Sequence, residues 1–411
     1  MTLHRSQLAI LGGTPIFSEK LYVGRPNTGD RQSFIRRVND ALDRRWLTND
    51  GPYVQEFEQR VAQFLGVRHC VTTCNGTAGL QLAIRALGLE GEVIVPSFTF
   101  VATPHALQWQ GITPCFCDVQ PDGFHLDPAA IEAAITSKTT GILGVHLWGR
   151  PCEIERLQFL AEQHNLKLLF DAAHAFGCSY HGRMIGGFGD AEVLSFHATK
   201  VLSTLEGGAI ATNNDAIARE VRLLRNFGFA DGDTIASVGI NAKMNEISAA
   251  MGLASLERLD AVVEANRQNY DAYRTGLAGI NGLRLYMYDE SETNSYYYIV
   301  IEVDEQRMGI DRDTLLQVLH AENVIARRYF YPGCHRVPPY TFTKAGILPQ
   351  TERLASCTLS LPTGETVGAE DIRKICQIIS QASEDAEKIR WSLKRKHFVR
   401  SDYPTSICLQ K

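Results

Sequence analysis

The sequence predicts an α/β protein: a large domain built on a mostly parallel sheet covered by helices, with a smaller C-terminal α/β domain appended. Three observations carry that expectation. Between about residues 70 and 215, short apolar runs alternate with amphipathic stretches, the order produced when helices cross over between parallel strands. The apolar runs lack clean two-residue alternation, as expected of strands covered on both faces. After about residue 280 a second, shorter set of strand and helix patterns begins.

Taken in order, Glu92–Ser97, Pro114–Val119, Thr140–His146, Leu166–Asp171, Glu192–Phe196 and Gly208–Thr212 read as strands. Helical patterns fall on Gly76–Leu87, Thr103–Gln110, Pro128–Thr136 and Glu153–Asn165. A polar, Gly-rich patch, Phe227–Gly239, precedes a long helical segment over Met244–Leu277. Beyond it, Tyr296–Val303 reads as a strand, Asp313–Glu322 as a helix and Asn323–Tyr331 as extended chain. Cys357–Leu361 is a short strand pattern and Gly368–Glu387 a helical one. The expected division is a large domain over 1–240, which includes the N-terminal segment, a connecting helix over 241–280, a small domain over 281–390 and a tail over 391–411. Lys394, Arg395, Lys396 and Arg400 lie in the tail and read as solvated charge.

Charge narrows the function classes. With 46 acidic against 41 basic side chains the net charge is −5, the wrong balance for a general nucleic-acid binder. No run approaches the ~20 apolar residues of a membrane span, and the apolar stretch within Met1–Gly13 is too short for a secretory signal. Cytoplasm is the expected location. The 10 cysteines are scattered without CxxC spacing, so they read as small buried side chains and suggest no metal site. No GxGxxG opens a helix after the first strand, which speaks against a nicotinamide-dependent oxidoreductase.

Three features sit where strands should end, the edge at which open α/β sheets bind ligands. Thr73–Gly79 (TCNGTAG) leads into a helix, and small residues there leave backbone amides free for a phosphate. Asn75-Gly76-Thr77 serves equally well as a turn and helix cap. Leu166–Phe176 (LKLLFDAAHAF) ends an apolar strand in Asp171, a carboxylate that needs a cation or donors if buried; capping the next helix is its simpler role. Ser195–Lys200 (SFHATK), followed by Gly207-Gly208, ends a strand and presents Lys200 from a loop. Such a lysine is either an ordinary surface residue or the amine that forms an imine with an aldehyde cofactor.

Together these segments resemble the sugar aminotransferases of the DegT/DnrJ/EryC1/StrS family, a branch of the fold-type-I pyridoxal-phosphate enzymes. The resemblance runs from Leu11-Gly12-Gly13 to Leu359–Gly364 (LSLPTG). It implies that Lys200 binds pyridoxal 5'-phosphate covalently and that Asp171 pairs with the ring nitrogen. Gly76, Thr77 and Ser195 are implied as the phosphate cradle, and Phe100, in Pro96–Thr103, as the residue stacked on the ring. His174 falls where many relatives carry Gln beside the phenolic oxygen, which leaves its protonation state open. Asn241 matches an asparagine that reaches the cofactor phosphate of a neighbouring subunit, implying a homodimer with shared sites.

The resemblance further implies transamination from L-glutamate, with pyridoxamine phosphate between the two halves. Relatives that replace the lysine with His run a dehydration instead, and Lys200 is present here. Within the family, Trp46–Pro52, Asp171–Gly177, Asn226–Ala230 and Arg327–Pro332 are most similar to enzymes that turn dTDP-4-keto-6-deoxyglucose into dTDP-4-amino-4,6-dideoxyglucose. Arg327 and Arg328 are candidates for the nucleotide diphosphate, and Tyr329, Tyr331 and His335 for the sugar or base pocket; surface ion pairs and core packing are their ordinary alternatives. An aminotransferase acting on another keto-sugar position or a ketocyclitol, and a non-catalytic regulatory protein that kept the fold, are the competing readings.

Overall fold

The computed structural model of the chain describes residues 7–341 and 346–401. Its centre is a seven-stranded sheet: β1 (His69–Thr73), β2 (Glu92–Pro96), β3 (Thr113–Cys117), β4 (Thr139–Val145), β5 (Lys167–Asp171), β6 (Ala191–Ser195) and β7 (Gly208–Thr212). Their spatial order is β1-β7-β6-β5-β4-β2-β3. Strand β7 alone runs against its neighbours, pairing antiparallel with both β1 and β6. All other pairings in this sheet are parallel, so every strand except β7 ends on one common edge.

Apolar side chains on both faces of the sheet build two clusters, which is why its strands show no alternation. Strand β1 was absent from the apolar pattern because its second half is Thr72 and Thr73. Both are buried, and Thr72 is satisfied from outside the strand: its N–H and hydroxyl donate to Glu58 at 2.8 and 2.9 Å. Buried Arg225 in turn donates to Glu58 (2.5 Å), to the Thr72 carbonyl (2.9 Å) and to Asp50 (2.9 Å).

The long helical segment is two helices, Glu246–Leu256 and Leu259–Gly276, broken at Glu257-Arg258. The first packs on helices Arg31–Arg44 and Pro52–Leu65, and the second on Ala369–Glu384, so the break marks a change of neighbours. The second unit holds an antiparallel three-stranded sheet: β8 (Leu283–Leu285), β9 (Ile299–Val303) and β10 (Thr358–Leu361), with β9 central. Of the expected extended piece Asn323–Tyr331, only Val324–Ile325 forms a strand, paired with Leu21–Tyr22. The N-terminal segment, expected with the large domain, packs in the second unit instead. Leu8, Ile10 and Phe17 join its core, and the Glu322 carboxylate accepts N–H bonds from Ala9 (2.6 Å) and Ile16 (2.7 Å). A last helix covers Ala386–Ser401, with Ile389 in the same core; Pro404 and Cys408 lie outside the described residues.

Arg150 ties the two units together. Its buried guanidinium donates to the Tyr286 and Met287 carbonyls at 2.6 and 3.0 Å and lies 3.8 Å from the Tyr288 ring centroid. Within the large unit, Glu246 is only 1% exposed, and its carboxylate caps a different helix by accepting from Tyr53 N (2.9 Å) and Val54 N (2.8 Å). Gly51 makes room for it, since a Cβ there would lie 2.5 Å from Glu246 Cδ. Removing this carboxylate leaves two buried amides without acceptors. Glu246→Ala is therefore expected to lower unfolding free energy by about 2–3 kcal/mol, and Glu246→Gln by less, in urea denaturation.

Candidate active site

At the common strand edge lies a cavity of ≈ 730 Å³. Most of its wall comes from strand ends and the turns and helix starts after them, and Arg327, Tyr329 and Phe330 complete it. After β1, Asn75 caps the helix Gly76–Ala86 by accepting from Ala78 N at 2.8 Å. Both expected roles of that turn are thus compatible: Asn75 serves the third amide, while Gly76 and Thr77 at the cavity wall keep first-turn amides that the helix cannot use. Ser195, the last residue of β6, stands against them, with its Cβ 3.1 Å from where a Gly76 Cβ would be.

Neither Gly207 nor Gly208 takes a positive φ, so neither is needed for left-handed backbone. Gly208 is instead required by close approach. A Cβ there would lie 2.7 Å from Gly76 N, inside the helix start that lines the cavity.

Asp171 ends β5 and is buried, at 6% exposure. Its Oδ2 accepts from the Thr103 hydroxyl at 2.8 Å and its Oδ1 from Ala173 N at 3.1 Å. Burial raises its pKa above the ordinary carboxylate value, with Thr103, Ala173 N–H and the charge of Lys200 opposing. Two donors and a nearby amine are thus insufficient to offset desolvation; a cation facing the carboxylate would do so. Lys200 shares the cavity, and burial pushes its amine down to about 8 against the attraction of Asp171.

His174 follows in the turn after β5. Its Nδ1 accepts the Trp148 N–H at 3.3 Å, and its ring lies 4.5 Å from that of Tyr298. Burial and the charge of Lys200 hold the imidazole well below its ordinary pKa. A neutral ring whose Nδ1 accepts must carry its proton on Nε2, so His174 presents a donor. Phe100, 54% exposed, forms an apolar wall of the same cavity.

The structure divides the remaining candidates. Arg327 and Tyr329 line the cavity, linked by a 3.2 Å hydrogen bond from Nη1 to the phenol oxygen. Arg328 does not: it pairs with Asp313 at 3.2 Å and lies over the Tyr331 ring. His335 is also outside, buried with Nδ1 2.6 Å from Ser97 Oγ and Nε2 3.3 Å from Glu352. Both were drawn away by partners far off in sequence. Asn241 is exposed, bridged to Asn226, and does not line its own chain's cavity. Sequence reasoning missed Thr103 as the donor to Asp171; a hydroxyl in the first turn after a strand end was the available signal.

A lysine amine, a buried carboxylate and an amide-bearing helix start around one cavity define a site for a phosphorylated aldehyde with a basic ring nitrogen. The chain belongs to the DegT/DnrJ/EryC1/StrS aminotransferase family, whose profile matches residues 29–380. It is an aminotransferase, and enzymes of this family use pyridoxal phosphate. It is 40% identical over 313 residues to a dTDP-4-amino-4,6-dideoxy-D-glucose transaminase from Shigella dysenteriae, covering 76% of this chain and 85% of that one. Among solved structures it resembles DesI, crystallised with its TDP-sugar product, at 48% identity and a TM-score of 0.90, covering 95% of this chain and 99% of that one. The putative sugar aminotransferase Spr1654 from Streptococcus pneumoniae, solved in its pyridoxal-phosphate form, is 25% identical with a TM-score of 0.83, covering 89% and 99%.

Thr103→Val tests the electrostatics of Asp171. Because the folded-state pKa is raised, Asp171 favours folding in its protonated form and loses that contribution as pH rises through the raised value. Without the hydroxyl, the ionised form loses a donor. The variant should be destabilised by about 1–2 kcal/mol where Asp171 is ionised and by less in acid, measured by urea unfolding of cofactor-free protein at several pH values.

Proposed function

We propose that the chain transfers an amino group from L-glutamate to a nucleotide-linked keto-sugar, dTDP-4-keto-6-deoxyglucose, giving dTDP-4-amino-4,6-dideoxyglucose. The observation that carries the catalytic part is the pairing of Lys200 and Asp171 across one cavity, within electrostatic reach of each other. The substrate part is supported by the kinship with the Shigella dysenteriae transaminase and DesI.

Pyridoxal phosphate, when bound, supplies an electron sink for carbanion chemistry at the amine-bearing carbon. Everything else falls to the chain. The Gly76 and Thr77 amides and Ser195 hold the phosphate, and Phe100 covers a ring face. Asp171 keeps the ring nitrogen protonated, while the donated hydrogen of His174 Nε2 steadies the phenolic oxygen. Lys200 Nζ holds the cofactor between turnovers and, once freed, takes and returns the migrating proton. Its pKa of about 8 suits that exchange near neutral pH. Arg327 and Tyr329, at the cavity wall, contact the nucleotide sugar.

A shared site in a homodimer is supported by the family resemblance at Asn241. The loop before it exposes apolar side chains on one hairpin: Phe227, Phe229 and Ile240, with Ile235 at 66% and Val238 at 84% exposure. Such a patch fits a protein partner, and a second copy would bring Asn241 to the neighbouring phosphate.

Purified protein is expected to show a yellow absorbance with pyridoxal phosphate that bleaches with L-glutamate and is missing in Lys200→Ala. Capture of the cofactor by apoenzyme should accelerate as pH rises through about 8, where the amine loses its proton. Turnover on a panel of dTDP-keto-sugars and ketocyclitols checks the substrate; activity on cyclitols alone would remove the assignment. For the dimer, Asn241→Asp should weaken cofactor retention on dialysis, with the sedimentation coefficient unchanged.

A further inference from the structure

Among the described residues, Arg327, Tyr329 and Phe330 are the only parts of the cavity wall supplied from beyond β9. The stretch that carries them is fixed at both ends, to different partners. At its start Arg327 exchanges backbone bonds with Ser360 of β10, at 3.1 and 2.8 Å. At its end the Gly333 N–H donates to the Phe330 carbonyl at 2.7 Å. The Cys334 N–H then donates at 2.8 Å to the carbonyl of Ser97, the residue after β2. The first anchor is backbone on both sides, whereas side chains complete the second. Ser97 and His335 are both buried. Ser97 Oγ accepts the His335 N–H at 3.0 Å and lies 2.6 Å from His335 Nδ1. Burial holds the imidazole below its ordinary pKa and neutral at pH 7, against the pull of Glu352. The hydroxyl donates its one hydrogen to Nδ1, so the ring proton sits on Nε2. That nitrogen faces Glu352 Oε1 at 3.3 Å, where Arg336 Nε also donates, at 3.1 Å. The helix bearing Glu352, Pro349–Cys357, is capped by Asp118, the residue after β3, which accepts from Gln350 N (3.0 Å) and Thr351 N (2.8 Å). Both ends of the Ser97–His335–Glu352 chain thus refer to β2 and β3, neighbours in the central sheet.

We propose that Ser97 and His335 are positioning residues for the nucleotide sugar: their paired hydrogen bonds latch the 327–335 stretch to the central sheet and set where Arg327 and Tyr329 meet the acceptor. Neither residue lines the cavity, so they act only through the wall they hold. Without the latch the stretch keeps its bonds to β10, while its far end loses the side-chain half of its anchor. Arg327 and Tyr329 then shift relative to Lys200 and Asp171, which the sheet fixes independently. A misplacement of about 1 Å in a binding group can cost as much as 100-fold. The effect falls on the acceptor, because Lys200, Asp171, His174 and Ser195 all stand on β5, β6 and the turns after them. This rests on the reading above, in which Arg327 and Tyr329 contact the nucleotide sugar.

The test compares the two halves of the reaction in the holoenzyme. In His335→Phe, which keeps the ring's bulk and loses both bonds, KM for the dTDP-keto-sugar should rise about tenfold with kcat within twofold. Calorimetric affinity for dTDP should weaken in step, and the rate of bleaching by L-glutamate should stay within twofold of the parent. His335→Asn, whose Oδ1 can stand where Nδ1 does and accept the Ser97 hydroxyl, should recover most of the loss. Ser97→Ala, a smaller change, should raise the same KM about fivefold and carries the test if His335→Phe misfolds. Unchanged acceptor KM and dTDP affinity in folded His335→Phe and Ser97→Ala overturn the proposal. So does an equal loss in the L-glutamate half, which would make the cluster a general support of the fold. Failure of the underlying reading registers separately: Arg327→Ala would then leave acceptor KM and dTDP affinity untouched, and the role of the latch would fall with it.

Discussion

A carboxylate kept out of water beside an amine is the constraint around which this molecule is arranged. Asp171 is buried at the end of β5, and the hydroxyl of Thr103 and one backbone amide do not offset that cost. Its neighbour Lys200 pays the converse penalty, with an amine depressed by burial. Each group is unfavourable alone, and each is eased by a ligand that brings a ring cation and an aldehyde. The sheet serves this arrangement directly: parallel pairing from β2 to β6 delivers Asp171 and Ser195 to the same edge, where the loop after β6 presents Lys200.

Much of the architecture was legible because strand ends and chemistry coincide in the sequence. The apolar run LLFD stops at its carboxylate, and SFHATK stops at its lysine. In the central sheet, the bounds of the expected strands differ from expectation by a residue or two, as fraying ends do. What stayed hidden was nonlocal. Strand β1 ends in threonines made tolerable by Glu58 and Arg225, which come from elsewhere in the chain. The break at Glu257-Arg258 was invisible because helical periodicity continues through it, and only the change of packing partner reveals it.

The site followed the same division. Lys200, Asp171, His174, Gly76, Thr77, Phe100 and Ser195 converge on one cavity because each sits at a strand edge or the turn beyond. Candidates from the Arg327–Pro332 stretch and its surroundings separated, because ion pairs with Asp313 and Glu352 decide which side chains face inward. Spacing along the chain carries no record of such partners. His174 illustrates the gain from coordinates: its tautomer follows from one backbone N–H, that of Trp148.

The placement of Leu8, Ile10 and Phe17 in a core shared with Ile299, Ile375 and Ile389 bears on the order of assembly during synthesis. These early residues leave the ribosome long before the segments that cover them, whereas the central sheet lies wholly between the two. The sheet can therefore close first, while Leu8, Ile10 and Phe17 wait for partners about 300 residues further along. Closing their contacts then acts as a clasp, fastened only after Ile389 has emerged.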